Sequence, residues 1–173
     1  MNPFFLDVDT QNDFVLPAGS LYAAGAELII PAIAALNRFA MARGYQLVST
    51  ACLHPENDSE FRLWPPHCVT GTVGQLKPSA TLVGQQLFQK QYTDVFRDPR
   101  FEQMVAASDA SEFVVYGVVT EVCVRFAAEG LLRFGRPVTV VSDAVQALHE
   151  QDGAAFLRQF RSAGGLVRVS AEL

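Results

Sequence analysis

"EFVVYGVVTEVCVRFAAEGLLRFG", residues 112–135, sets the architecture of the chain. After Glu112 the run to Val119 is apolar or glycine without alternation, the pattern of a strand covered on both faces. Beyond Thr120 apolar residues recur at helical spacing through "CVRFAAEGLLRFG" and stop at Gly135. A strand that turns directly into a helix is half of a βαβ unit, and the rest of the chain repeats it. "PFFLDVD" reads as a strand, followed by the helical stretch "AELIIPAIAALNRFAMARG", with Ile29, Ile33, Leu36 and Phe39 near helical spacing and Pro31 in its first turns. Then come the strands "YQLVST" and "LFQK", the helix "PRFEQMVAAS", the strand "PVTVVSDA", the helix "EQDGAAFLRQFRSAGG" and the strand "LVRVS". Strands joined through helices predict an α/β domain with a parallel sheet of about six strands covered on both faces, spanning 1–173 as one unit.

Half of the 173 residues are hydrophobic, enough for a sizeable core. A net charge of -5 without any cluster of Lys and Arg excludes a nucleic-acid binder, which needs basic side chains grouped against phosphates. No run approaches the ~18 apolar residues of a membrane span. The start, "MNPFFLDVDTQNDF", has no basic segment and meets Asp7 early, so a cytoplasmic protein is expected. Three cysteines, Cys52, Cys68 and Cys123, are an odd number and point to free thiols, metal ligands or a nucleophile rather than a disulfide framework.

In open α/β sheets ligands bind beyond the carboxyl ends of the strands. That rule selects Asp9 after the first strand, Cys52 and His54 after the second, Lys90 after the short third and Cys123 after the fourth. Thr120 can act as an N-cap, which would put Cys123 in the first helical turn, where free N–H groups and the helix dipole lower a thiol pKa. Lys90 is a cation able to lower it further, and Asp9 can exchange the thiol proton. The plainer alternatives are a Cys123 packed behind a strand, an Asp9 that caps a turn and a solvated Lys90.

The ordered segments "LDVDTQNDF", "WPPHCVTGTVG", "FQKQYTDVF", "GVVTEVCVRFAAEGLLRFG" and "VTVVSDA" resemble the isochorismatase-like cysteine hydrolases, the superfamily that includes nicotinamidases. The resemblance implies a Rossmann-like three-layer α/β/α fold, a catalytic triad of Asp9, Lys90 and Cys123, and a cis peptide between Val118 and Val119. It also implies an oxyanion hole from the backbone N–H groups of Val119 and Cys123. The implied activity is hydrolysis of a small-molecule amide C–N bond through a thioester. Two alternatives stay open: isochorismatase-type hydrolysis of another small substrate, and a catalytically silent relative that only binds a ligand. Relatives are often dimers or tetramers, so a homo-oligomer is expected.

The segment from about Ala51 to Gln86 is long and irregular, as functional loops often are. It supplies Cys52, His54, Asp58 and His67, a donor set suited to zinc, iron or manganese. Nicotinamidases that this chain resembles use an Asp-x-His pair and further His ligands; here Cys52 stands at the Asp position and Asp58 where a second His is expected. The alternative is that His54 and His67 hydrogen-bond loop backbone and Cys52 packs inside. Phe14 and Trp64 match positions that line the substrate ring in the family, with Tyr92 and Phe96 as further candidates to close the pocket. Cys68 reads as core and His149 as surface.

Overall fold

The computed structural model describes residues 2–173. Six strands, β1 (Pro3–Val8), β2 (Gln46–Cys52), β3 (Gln86–Lys90), β4 (Glu112–Val118), β5 (Val138–Gln146) and β6 (Leu166–Arg168), form one sheet in the order β3-β2-β1-β4-β5-β6. Every pairing is parallel. The helices are α1 (Asn12–Val15), α2 (Ile30–Ala42), α3 (Pro99–Ala107), α4 (Arg125–Leu132) and α5 (Glu150–Ser162). Among the described residues, no helix is long and apolar enough to cross a membrane.

The central pair shows why the sheet is buried on both faces. All six residues of β1 are buried, and alternate ones meet different layers. Phe5 points to the α2 side, where its ring lies 6.1 Å from Phe39 and stacks at 6.0 Å on Tyr45. Phe4 points the other way and meets Phe113 edge-on at 5.9 Å, which in turn contacts Phe134 beyond α4 at 6.3 Å. The result is three layers, helix on sheet on helix. The edge strand β3 is largely exposed until Lys90, which is buried.

Asp7, next along the α2 face, would be a costly buried charge without partners. It accepts from Thr10 Oγ1 at 2.5 Å, Ser49 Oγ at 2.8 Å and Asn37 Nδ2 at 3.1 Å, and Lys77 Nζ stands 3.2 Å away. The Tyr116 hydroxyl donates to Asn37 Oδ1 at 2.6 Å. This polar knot fastens α2, β2, β4 and the loop before β3 to the centre of the sheet.

Chain direction reverses in sheet order between β1 and β4, so the crevice beyond their carboxyl ends is where a ligand site is expected. Two glycine-free turns leave the strands there. Asp9 adopts φ 47°, a left-handed conformation that Asp tolerates better than most residues, and this swings the chain away from β1. After β4 the Val118–Val119 peptide is cis.

Candidate active site

Four side chains from four strand ends meet in the crevice. Lys90 Nζ lies 2.7 Å from Asp9 Oδ2, 3.3 Å from Cys52 Sγ and 3.8 Å from Cys123 Sγ, and it donates to the Tyr92 carbonyl at 2.9 Å. Thr50 Oγ1 donates to Asp9 Oδ1 at 2.7 Å, while the Asp9 N–H donates to that hydroxyl oxygen at 3.1 Å. All of these side chains are buried. Burial would raise the Asp9 carboxyl, but the Lys90 charge and the donors Lys90, Thr50 and Cys123 outweigh it and hold the group below the usual carboxylate range. Burial would likewise lower the Lys90 ammonium; Asp9 and the two sulfurs instead raise it well above its ordinary value.

The two thiols shift in opposite directions. A hydrogen bond with Cys123 brings Cys52 down to about 7, and burial, which works against it, does not cancel the effect. That same bond, with burial, pushes Cys123 well up. Cys52 is also the sulfur closer to the ammonium, which favours negative charge there over Cys123. This differs from the sequence expectation of a Cys123 ionised by a helix N-terminus. The reason is local: Thr120 does not cap, because the turn Thr120–Val124 is a π-helical one with Val119 as its capping residue and no side-chain cap, and α4 begins only at Arg125. Cys123 therefore lies inside a π turn rather than in the first turn of an α-helix.

Gln11 ties the turn after β1 to the end of β2 and the loop before β3: its side chain accepts from the Cys52 N–H at 2.7 Å and donates to the Cys52 carbonyl at 2.9 Å and the Gln75 carbonyl at 2.7 Å. Asp13 accepts from the Cys68 N–H at 2.7 Å, and Asn12 donates to the Val73 carbonyl at 2.9 Å. The polar residues of "DTQNDF" thus hold the long irregular segment against α1. Cys68 is buried there with its sulfur 4.0 Å from the Gly74 carbonyl, apart from the Lys90 contacts.

A second cluster adjoins the first. His54, Glu60 and His67 place ligand atoms within 4.8 Å of one another. Asp58 is not among them. Its Oδ2 sits 2.9 Å from His54 Nδ1, and its Oδ1 accepts from the Glu60 N–H at the head of the 3-10 turn Ser59–Arg62. That turn swings Glu60 inward, so Glu60 occupies the place the sequence reading gave to Asp58. Cys52 is also outside the group, its sulfur turned to Lys90 and Asp9.

The donor set fits a divalent transition ion. His54 Nε2 is buried without a hydrogen-bond partner, while Nδ1 is engaged by Asp58. His67 Nδ1 is 2.8 Å from the Pro65 carbonyl, which leaves its Nε2 available. Histidines whose other nitrogen is fixed by a carboxylate or carbonyl are the usual arrangement around bound metal. Burial would lower the His54 imidazole, yet the Cys52 sulfur and Asp58 raise it to about 9, so a positive charge is favoured at this point.

Phe14, Leu21, Trp64, Val122 and Leu148 wall a tight pocket of about 20 Å³ that reaches Cys52, Glu60, His67, Val119 and Cys123. The Phe14 ring lies 5.3 Å from that of His67, tilted against it. Tyr92 and Phe96 do not line this pocket. Tyr92 is 43% exposed on an outer groove, with Arg97 over its ring, and Phe96 packs against Phe101 at 5.0 Å and Phe134 at 6.0 Å. Glu60, Thr50 and Gln11 escaped the sequence reading. For Thr50 and Gln11 the available signal was a polar residue at or just past a strand end.

The chain matches the family profile described as an isochorismatase domain over residues 4–172. It is 29% identical to the nicotinamidase/pyrazinamidase of Mycobacterium tuberculosis, in an alignment that covers 90% of this chain and 92% of that protein. Identity to the nicotinamidase of Acinetobacter baylyi is 27%, covering 95% of this chain and 90% of that one. Among solved structures, the pyrazinamidase of Pyrococcus horikoshii in complex with zinc superposes with a TM-score of 0.90 at 27% identity, covering 98% and 99% of the two chains.

Proposed function

The chain belongs to the isochorismatase family, and on that premise we propose that it is a nicotinamidase-like cysteine hydrolase that cleaves the C–N bond of a small aromatic amide. The observation that carries this reading is Lys90 Nζ bridging the Asp9 carboxylate at 2.7 Å and the Cys123 sulfur at 3.8 Å, with Cys123 lining a pocket walled by Phe14 and Trp64. The nicotinamidase relatives over nearly the whole chain point to the same chemistry.

In this reading Asp9 accepts the Cys123 proton as the sulfur attacks the amide carbonyl carbon. A thiol pushed up in this way calls for such a base, and Lys90 Nζ, in contact with both the Asp9 carboxylate and the Cys123 sulfur, holds the two side by side. The N–H groups of Val119 and Cys123 receive the developing oxyanion; a donor of this kind is worth about 3 to 4 kcal/mol of barrier. Asp9 then returns the proton to the departing ammonia and activates the water that cleaves the thioester. Lys90 keeps Asp9 ionised between these steps and holds it against the sulfur. Phe14 and Trp64 present faces to a flat ring. His54, Glu60 and His67 would hold a divalent ion, which when bound supplies a Lewis-acidic contact for a ring nitrogen.

Ammonia release from nicotinamide, pyrazinamide and a panel of other primary amides tests the proposal. Cys123→Ala should abolish release while leaving the circular dichroism spectrum unchanged. Equal turnover by that variant would refute the assignment of the nucleophile, and no release from any amide by the wild type would refute the reaction.

A further inference from the structure

We propose that Cys52 and Cys123 form a reversible modification site, closing to an intramolecular disulfide when a peroxide enters the pocket. Two observations converge on the pair. Both sulfurs contact the same ammonium, at 3.3 and 3.8 Å from Lys90 Nζ. Sharing that one nitrogen makes the two sulfurs neighbours across the ammonium. Each lines the substrate pocket, with Cys52 3% and Cys123 8% exposed, so a molecule as small as hydrogen peroxide reaches them by the route a substrate takes.

The backbone arrangement permits closure. Cys52 is the last residue of β2 and Cys123 lies in the π turn after β4, and both strands flank β1. β1 pairs β2 only as far as Asp7–Ser49 and ends at Val8, so at the level of Cys52 no strand stands between the two side chains, and joining the sulfurs calls for the Cys123 turn to move toward Cys52. Proximity is what makes a second thiol able to capture an oxidised one before it is oxidised further.

The chemistry balances with the peroxide as oxidant. One thiolate sulfur attacks a peroxide oxygen, the O–O bond breaks, and hydroxide departs, leaving a sulfenic acid. The other sulfur attacks the sulfenic sulfur, the S–S bond forms, the S–O bond breaks, and a second hydroxide departs. The two thiol protons convert the hydroxides to water: two thiols lose two electrons and two protons, and the peroxide is reduced to two waters. A dithiol reverses the change. Because the bond consumes the sulfur facing the pocket, the oxidised protein has no nucleophile there.

The test uses the intact, reduced protein, whose three cysteines are free. After brief treatment with hydrogen peroxide, thiol titration in denaturant should fall from three to one, and the intact mass should drop by about 2 Da. Peptide mapping should find Cys52 linked to Cys123, and dithiothreitol should restore all three thiols. Cys52→Ser under the same treatment should instead gain oxygen on Cys123, about 32 Da or more, which dithiothreitol does not reverse. Cys68→Ser should still form the 52–123 link. A link to Cys68, a disulfide between two chains, or a wild type that gains oxygen as Cys52→Ser does would each overturn the proposal. Mass and thiol count are read without any amide assay, so the result is independent of the hydrolytic reading.

Discussion

The carboxylate of Asp9 and the ammonium of Lys90 meet at 2.7 Å with both side chains sealed from solvent. Two strand ends, β1 and β3, are joined through them although β2 lies between. A buried pair broken on one side leaves a charge with no solvent to receive it, at a cost of about 3 to 5 kcal/mol. Lys90→Met should therefore lower unfolding stability by that amount in a urea titration, and abolish amide hydrolysis as well. A loss below about 1 kcal/mol would place the pair in the class of exposed ion pairs and contradict this account.

The same pair fixes a pH dependence. The folded-state pKa of Asp9 is depressed below 3.8, so its contribution is present above 3.8 and is lost as pH falls through the folded value. Lys90 is raised well above 10.5, so its contribution is complete below 10.5 and is lost as pH rises through the folded value. In Lys90→Met nothing matches the burial that raises Asp9, so the stability difference from wild type should be largest where Asp9 is ionised in the unfolded chain and shrink as pH falls and the carboxyl is protonated in both states. Denaturant titrations of both proteins at several pH values measure it; a difference that stays constant down to acid pH would contradict the pairing of Asp9 with Lys90.

Gly117 carries the close approach of the two central strands. It sits opposite Val8 with φ 112°, and a Cβ placed on it would lie 2.1 Å from the Val8 carbonyl oxygen. Backbone cannot yield as a flexible side chain does, so Gly117→Ala should cost more than about 4 kcal/mol or prevent soluble expression. Gly44, with φ 67° and open space around it, provides the contrast: Gly44→Ala should cost only the left-handed penalty of about 1 to 2 kcal/mol. Thermal unfolding of the two variants side by side checks the ranking. Equal midpoints would mean that contact with Val8 contributes nothing.

Much of this arrangement was visible in the chain. Continuous apolar runs such as Phe113–Val119 identify strands covered on both faces, and the rule that parallel strands aim their carboxyl ends at one crevice gathers Asp9, Cys52, Lys90 and Cys123. Side-chain direction was not visible. Whether Asp58 or Glu60 turns inward depends on the phase of one 3-10 turn, which two residues of spacing reverse. Whether Thr120 caps a helix depends on the turn being π rather than α, a difference of one residue per turn with no signal in composition. The meeting of Cys52 and Cys123 at one ammonium depends on sulfurs contributed by strands distant in sequence.

Glu60 and Asp58 differ in what they do for a metal ion, and the difference can be measured. Glu60 offers its carboxylate alongside His54 and His67, whereas Asp58 reaches only the far nitrogen of His54. Loss of a group that merely orients a ligand weakens metal binding about 10- to 100-fold. Asp58→Ala should therefore weaken zinc binding by that factor, and Glu60→Ala, which removes a donor atom outright, by at least as much. Competition with a chromophoric chelator, on protein stripped and then reloaded with zinc, gives both affinities, and elemental analysis of protein purified without chelator gives the ion it carries. If Glu60→Ala bound zinc as tightly as the wild type while Asp58→Ala did not, the ion would be held by Asp58, and the inward turn of Glu60 would have another purpose.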